Sequence, residues 1–331
     1  MLEKFFKKSP VILKYVSKCL RIIINILDNF LPTYKIALVV SYAGKRIDGS
    51  PLIIADLCIP SDYSVIIAVR KNVKQCEHYK YIKYASFKYF WVLITSKIWI
   101  SNVNIELGFS LKRSSQIYIN SWHGIPFVTI GNCVSNRSDY DFSRVDLLTT
   151  CSLYDEQVFS KCFNANKSSF IRSGLPRNIN LTGFNFQKSR NELSIDQSKI
   201  VFLYAPTWRI DKKKCNDIYR NFIDYWGKNI TNKRFLLLCK FHHLSEFEFS
   251  EKTSNNIIIE KGHNNLNLCM QVANFLITDY SSIYFDFSIL KKPTIFYMPD
   301  IKSYSKERGF YMSPNDKHGK VVKSLNDLKR V

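Results

Sequence analysis

Four short segments of the sequence carry side chains suited to holding or moving an anion, and each follows a run of aliphatic and β-branched residues. In Asn120-Ser121-Trp122-His123-Gly124-Ile125-Pro126, Gly124 lets the backbone turn, Pro126 stiffens the exit, and His123 stands beside a bulky Trp122. An imidazole there suits a general base, because its unperturbed pKa lies near neutral pH; a histidine that only hydrogen-bonds its own loop is the alternative. Tyr204-Ala205-Pro206-Thr207-Trp208-Arg209 offers hydroxyl, indole and guanidinium groups to a nucleotide or phosphate, although a turn with an exposed arginine would look the same. Lys240-Phe241-His242-His243 places the point charge of Lys240 and the imidazole of His242 where a diphosphate could be bound, or where a basic strand end is simply solvated. The adjacent histidines do not read as a metal site, because neighbours on extended chain point to opposite faces and no acidic partner lies at metal spacing.

The fourth segment, Thr278-Asp279-Tyr280-Ser281-Ser282, runs into IYFDFSILKK, read as a helix that Pro293 closes. Backbone N–H groups, serine hydroxyls and the positive end of a helix would gather there around one point, a phosphate site; a serine that caps the helix is the alternative, and both can hold. Further on, Tyr304-Ser305-Lys306-Glu307-Arg308-Gly309-Phe310-Tyr311 sets Arg308 against Gly309 between aromatics, or forms an exposed basic loop.

These loops need strands to carry them. IALVVS at 36–41, VIIAV at 65–69, IWI at 98–100, QIYI at 116–119 and DLLTT at 146–150 alternate with helix-like stretches in the rhythm of a covered parallel sheet. Residues 172–199 turn polar and read as a linker or crossover loop. The rhythm restarts with IVFLYA at 200–205, RFLLLC at 234–239, NIIIE at 256–260, NFLIT at 274–278 and TIFY at 294–297. The expected fold is therefore α/β with two Rossmann-like halves and a site in the cleft at the carboxyl ends of strands.

The chain has 331 residues and a formal net charge of +21, with 46% hydrophobic residues, too apolar for disorder and basic enough to expect an anionic partner. Nucleic acid is one such partner, but no helix-turn-helix, zinc-finger or ribonucleoprotein pattern is present. Nine scattered cysteines without a Cys-x-x-Cys read as thiols of a reducing compartment. In residues 11–31, Lys14, Lys18, Arg21, Asn25 and Asp28 recur every three or four residues. On a helix they form a narrow polar stripe beside an apolar face that includes Ile12, Val16, Ile23 and Leu27. Residues 1–35 hold seven Lys/Arg against two Asp/Glu. The segment is expected to lie in an anionic membrane interface without crossing it, packing on the protein's own body being the alternative.

Taken in order, SYAGKRIDGSPLI at 41–53, NSWHGIPFVTIG at 120–131, SGLPRN at 173–178, YAPTWR at 204–209, KFHH at 240–243, LITDYSSIYFDFSILKKPTIFYMPD at 276–300 and ERGFY at 307–311 resemble the CDP-glycerol glycerophosphotransferase family, the teichoic-acid and capsule polymerases and primases of bacteria. The resemblance implies a GT-B-like fold of two Rossmann-like domains with a cleft between them, plus an N-terminal amphipathic membrane helix. The expected divisions are 1–33 for the membrane segment, 34–185 for the acceptor domain and 186–331 for the CDP-donor domain. It implies transfer of glycerol phosphate, or a related alditol phosphate, from CDP-glycerol or a similar CDP-alditol to a hydroxyl of a lipid-linked glycan or poly(alditol phosphate), with release of CMP.

By motif, His123 would deprotonate the acceptor, with Trp122 and Gly124 on the acceptor side. His242 would assist departure of CMP. Lys240, Ser281, Ser282, Arg308 and Gly309 would hold the diphosphate, and Thr207, Arg209 and Asp279 would shape the nucleotide side. No cofactor or divalent metal is expected, nucleic acid is not expected as a partner, and the implied location is the cytoplasmic face of the bacterial membrane. A catalytically weakened partner of a capsule synthase and a nucleotide-sugar glycosyltransferase of the same architecture are the alternatives. The family's lysine pair after Trp-His-Gly is here Val128 and Thr129, its Asp after Pro-Arg-Asn is Ile179, and its proline after Lys-x-His is His243. Relatives also usually continue past the position of Val331 through a further helical segment.

Overall fold

The computed structural model describes residues 10–70, 78–106, 109–135, 137–241, 256–260, 266–313 and 319–328, with side chains of the first helix from Tyr15 onward. The chain divides into two units, Met1–Arg177 and Asn178–Val331, where a boundary between 185 and 186 was expected.

The first unit is built on a parallel sheet of β1 (Tyr34–Val40), β2 (Ser64–Val69), β3 (Lys80–Lys83), β4 (Ser96–Ser101), β5 (Ile117–Asn120), β6 (Leu147–Thr149) and β7 (Phe170–Ile171), in the order β3-β2-β1-β4-β5-β6-β7. Helices α1 (Pro10–Phe30), α2 (Ser50–Cys58), α3 (Phe87–Thr95) and α4 (Leu153–Phe163) belong to this unit. The strand order reverses between β1 and β4, whose Ala37, Leu38, Val39, Trp99 and Ile100 are wholly buried, as strands covered on both faces must be. The second unit holds β8 (Ile200–Tyr204), β9 (Phe235–Cys239), β10 (Ile257–Ile259), β11 (Phe275–Thr278), β12 (Thr294–Tyr297) and β13 (Lys320–Val322) in the order β10-β9-β8-β11-β12-β13, again parallel. Its helices are α5 (Phe186–Glu192), α6 (Lys212–Asn229), α7 (Leu266–Val272), α8 (Ile283–Ser288), α9 (Ile301–Arg308) and α10 (Leu325–Leu328). Its order reverses between β8 and β11. Ligands of open α/β sheets bind outside the strand ends at such reversals.

Part of the polar stretch 172–199 is ordered in the second unit. Asn185 caps α5 by accepting from the Lys188 N–H at 2.9 Å, and the buried Arg190 donates to the carbonyls of Gln197 (3.0 Å) and Lys199 (2.8 Å). The helix expected from Ile283 to Pro293 ends at Ser288; Lys291 then takes a left-handed φ of 53° before the proline.

Helix α1 corrects the expected stripe. Arg21 and Asp28 turn toward the protein's own body: Arg21 Nη1 donates to the Lys112 carbonyl at 2.7 Å, and Asp28 accepts from Arg113 Nε at 2.9 Å, the Ser114 N–H at 2.8 Å and the Ser115 hydroxyl at 2.6 Å. Burial works against the Asp28 charge, yet these donors hold its carboxyl well below the usual range. Ile24 is buried, whereas Tyr15, Ile22, Ile23, Ile26 and Phe30 are exposed. The polar stripe thus splits, its Arg21 and Asp28 docking the helix while an apolar stripe faces outward. Cys133 and Cys162, expected as free thiols, are joined by a disulfide across 5.3 Å between their Cα atoms.

Candidate active site

The His123 loop leaves β5 over a bed of aromatic side chains. The Trp122 ring packs on Phe163 (4.4 Å between centroids), Phe142 (6.2 Å) and Phe159 (6.3 Å). Trp122 adopts φ +47°, a left-handed conformation that a bulky residue holds only when its surroundings over-determine it. They do: the Trp122 N–H donates to Asn120 Oδ1 at 2.8 Å, the Ser121 N–H to the Ser101 carbonyl at 2.9 Å, and the Thr149 hydroxyl to the Ser121 carbonyl at 3.1 Å. Gly124 follows at φ +154°, backbone that L side chains rarely adopt.

His123 itself is half-buried, its ring 4.1 Å from that of Trp122. Its Nδ1 lies 2.6 Å from the Asn102 carbonyl. A carbonyl can only accept, so that contact assigns the proton to Nδ1 and leaves Nε2 as the basic atom. Asn102 directly follows β4, beside the strand-order reversal; its Oδ1 also accepts from the Tyr42 N–H at 2.8 Å. Arg177 Nη1 donates to the His123 carbonyl at 2.8 Å, and the Arg177 N–H to the Ser50 hydroxyl at 3.2 Å. The imidazole is therefore fixed in tautomer and its loop held at both ends.

In the second unit, the loops after β8 and β11 flank the other reversal. Asp279 Oδ1 accepts from the Thr207 N–H at 2.8 Å and the Tyr280 N–H at 2.6 Å, which locks the two loops together. Arg209 lies between Asp279 (Nη1 to Oδ2, 2.8 Å) and Asp300 (Nε to Oδ2, 3.0 Å), below the stacked rings of Tyr280 and Tyr304. Burial disfavours its charge, but the two carboxylates outweigh that and hold the guanidinium above its ordinary value. Asp300 is held below its ordinary value, the pull of burial being overcome by Arg209, the Tyr280 hydroxyl and Lys214.

Arg209 and Asp279 are 4% and 2% exposed, so this network is a scaffold for the loops and not a surface that a diphosphate touches. The groups left accessible are Ser281, Ser282, Lys240, Arg308 and Gly309, all partly exposed. Ser281 Oγ accepts from the Ile283 N–H at 3.3 Å, whereas Ser282, at the N-cap of α8, makes no capping bond with its side chain. Lys240 Nζ lies 3.8 Å from Glu260 Oε1, and Gly309 ends α9 at φ +68°. Thr207 Oγ1 is buried without a hydrogen-bond partner among the described residues, an orphan that a bound ligand could satisfy. His242 and His243 lie outside the described residues.

The model of the family described as CDP-glycerol:poly(glycerophosphate) glycerophosphotransferase matches residues 25–331. The chain belongs to this family. It is 29% identical over 340 residues to a teichoic acid poly(glycerol phosphate) polymerase of Bacillus spizizenii, covering 92% of this chain and 85% of the relative. It is 27% identical to a teichoic acid glycerol-phosphate transferase of Staphylococcus aureus, covering 85% and 79%. A solved structure of the wall teichoic acid polymerase TagF superposes with a TM-score of 0.75 at 24% identity, over 99% of this chain and 86% of that one, a likeness of fold.

Three residues that hold these candidate loops escape motif reading. Asn102 acts through its carbonyl, which leaves no trace in residue type. Arg177 lay in a matched stretch, SGLPRN, without a role. Asp300 closes a matched stretch, but an aspartate before a helix reads first as a cap. Its partnership with Arg209, 91 residues away, is visible only in the fold.

Proposed function

We propose that the protein transfers glycerol phosphate from CDP-glycerol to a hydroxyl of a lipid-linked or growing teichoic-acid-like polymer and releases CMP. His123 Nε2 takes the proton of the acceptor hydroxyl as its oxygen attacks the phosphorus nearer the glycerol. The bond to the bridging oxygen breaks and CMP departs, with His242 supplying a proton. The resulting imidazolium is stabilised by the Asn102 carbonyl through Nδ1–H. Ser281, Ser282, Lys240, Arg308 and the Gly309 backbone hold the diphosphate, while the Arg209–Asp279–Asp300 network keeps their loops in place. Positioning and charge neutralisation of this kind are the main tasks of phosphoryl-transfer sites.

The reading is carried by one observation: a histidine of fixed tautomer on the Trp-His-Gly loop of a chain whose family model spans residues 25–331. A donor screen tests it. Purified protein should release CMP from CDP-glycerol in the presence of a membrane acceptor; consumption of a nucleotide-hexose with CDP-glycerol ignored would replace it with a glycosyltransferase.

The same reading places the enzyme on an anionic membrane surface at the cytoplasmic face. Among the described residues no helix is long and apolar enough to cross a membrane. The outward stripe of α1 has a companion on α3, where Phe87 is 98% exposed and Phe90 and Trp91 about half exposed, beside exposed Lys88. Arg113 ties the ends of both helices: it donates to Asp28 and the Leu31 carbonyl, and Nη1 to the Ile94 carbonyl at 2.9 Å. Aromatic and aliphatic residues with flanking lysines are the composition of interfacial helices.

A further inference from the structure

The acceptor proposed above is a polymer of phosphodiesters, yet the loop bearing His123 has no Lys or Arg between Asn120 and Asn132. Positive charge on that side comes from the neighbouring strand ends. After β1, Tyr42, Ala43 and Gly44 take φ values of 47°, 56° and 76°, three successive residues in left-handed conformation. The turn is anchored by the Tyr42 N–H on Asn102, the residue that orients His123, and a side chain at Gly44 would press on Tyr84 at 2.9 Å.

The Tyr42 ring lies 6.1 Å from the His123 ring and 4.7 Å from the Arg46 guanidinium. After β2, Arg70 is clamped on the same turn. Its N–H donates to the Gly44 carbonyl and its Nε to the Ala43 carbonyl, both at 2.7 Å, and its guanidinium stacks on Tyr84 at 4.6 Å. The two Nη groups of Arg70 have no partner among the described residues, and Lys45 is exposed without an ion pair there. Arg46 is partly neutralised by Asp48, its Nε 3.0 Å from Oδ2.

We propose that the rim formed by Tyr42, Lys45, Arg46, Arg70 and Tyr84 binds phosphodiester groups of the acceptor polymer next to the hydroxyl that His123 activates. A guanidinium held by one edge and one face presents its remaining edge as a ready fork for a phosphate, with little ordering left to lose on binding. The rim rests on the reading of His123 as the acceptor-side base, and it adds the chemistry that selects a charged acceptor over a neutral glycan.

The test is direct binding of a short synthetic oligo(glycerol phosphate) to the full chain. The wild type should bind it more weakly as salt rises, and an uncharged oligoglycerol should not bind. Arg70→Gln combined with Lys45→Gln should weaken binding at least about tenfold, with Arg70→Lys restoring only part, because an ammonium lacks the planar fork. Lys167→Gln, a charge loss on an exposed turn elsewhere in the unit, should leave binding unchanged. Equal binding by the Arg70/Lys45 variant, or equal weakening by Lys167→Gln, would overturn the proposal. So would an Arg70/Lys45 variant that lost anionic vesicle binding while keeping the oligomer, since the rim would then face lipid. The readout does not involve CMP release, so a result against His123 as base leaves this one standing on its own measurement.

Discussion

His123 and Arg209 perform opposite kinds of work. The imidazole commits its Nδ1 to the Asn102 carbonyl, which fixes its tautomer, whereas the Arg209 guanidinium is engaged by two buried carboxylates inside the protein. Arg209 was read from its motif as a group that shapes the nucleotide side, and its burial makes that shaping indirect. Replacing it by methionine strands two buried carboxylates, and breaking a buried ion pair in this way costs about 3–5 kcal/mol. Arg209→Met should therefore lower the urea midpoint strongly along with donor affinity; a variant of unchanged stability that lost only donor binding would show that the guanidinium touches the donor. Residue types and their order single out His123, Ser281 and Ser282 as candidates. They could not show that Asn102 and Asp300 hold the candidate loops, because a backbone carbonyl and a long-range ion pair have no local signature.

Strands and helices were legible where burial dictates composition. The central strands β1, β4, β8 and β11 are near-continuous apolar runs, while β3, β7 and β13 went unread: they lie at sheet edges, and KYIK, FI and KVV are too short or too charged to show a period. Helix α1 showed its period plainly but not which face would meet the protein, since Arg21 and Asp28 find partners in residues 110–115, far along the chain. That docking segment adjoins Glu106, whose Oε1 accepts from the Lys112 N–H at 2.8 Å. Burial raises the Glu106 carboxyl to about 7, against the lowering effect of the Lys112 and Leu111 N–H groups, with Asp141 adding to the rise and Lys112 and Arg21 as the cations that sense it. The folded state thus keeps a proton that the unfolded chain, with an ordinary value of 4.5, has released. Stability contributed by this group is present below about pH 4.5 and is lost as pH rises toward 7, by roughly 3 kcal/mol in all. Glu106→Gln should flatten the fall in urea midpoint between pH 5 and pH 8; an unchanged slope would assign the effect to another group.

At the scale of the whole molecule, the proposed reading divides the charge of +21 among the first helix, the rim beside His123 and the donor loops, each expected to meet an anion. The two apolar faces of α1 and α3 make the membrane part testable with the full-length protein. Replacing Ile22, Ile23 and Ile26 by serine, or Phe87, Phe90 and Trp91 by serine, should each lower co-sedimentation with vesicles of anionic phospholipid by at least about tenfold, the weight of a few lost apolar side chains. Unchanged sedimentation would assign the stripes another occupant. The family and the double parallel-sheet architecture were readable from motif order because most of the motifs sit at or just past a strand end, where parallel sheets put their chemistry, ERGFY at the end of α9 being the exception. The central claim concerns one nitrogen atom. CMP release from CDP-glycerol with a membrane acceptor should be abolished in His123→Ala while the urea midpoint stays near that of the wild type; wild-type turnover in that variant would contradict the account.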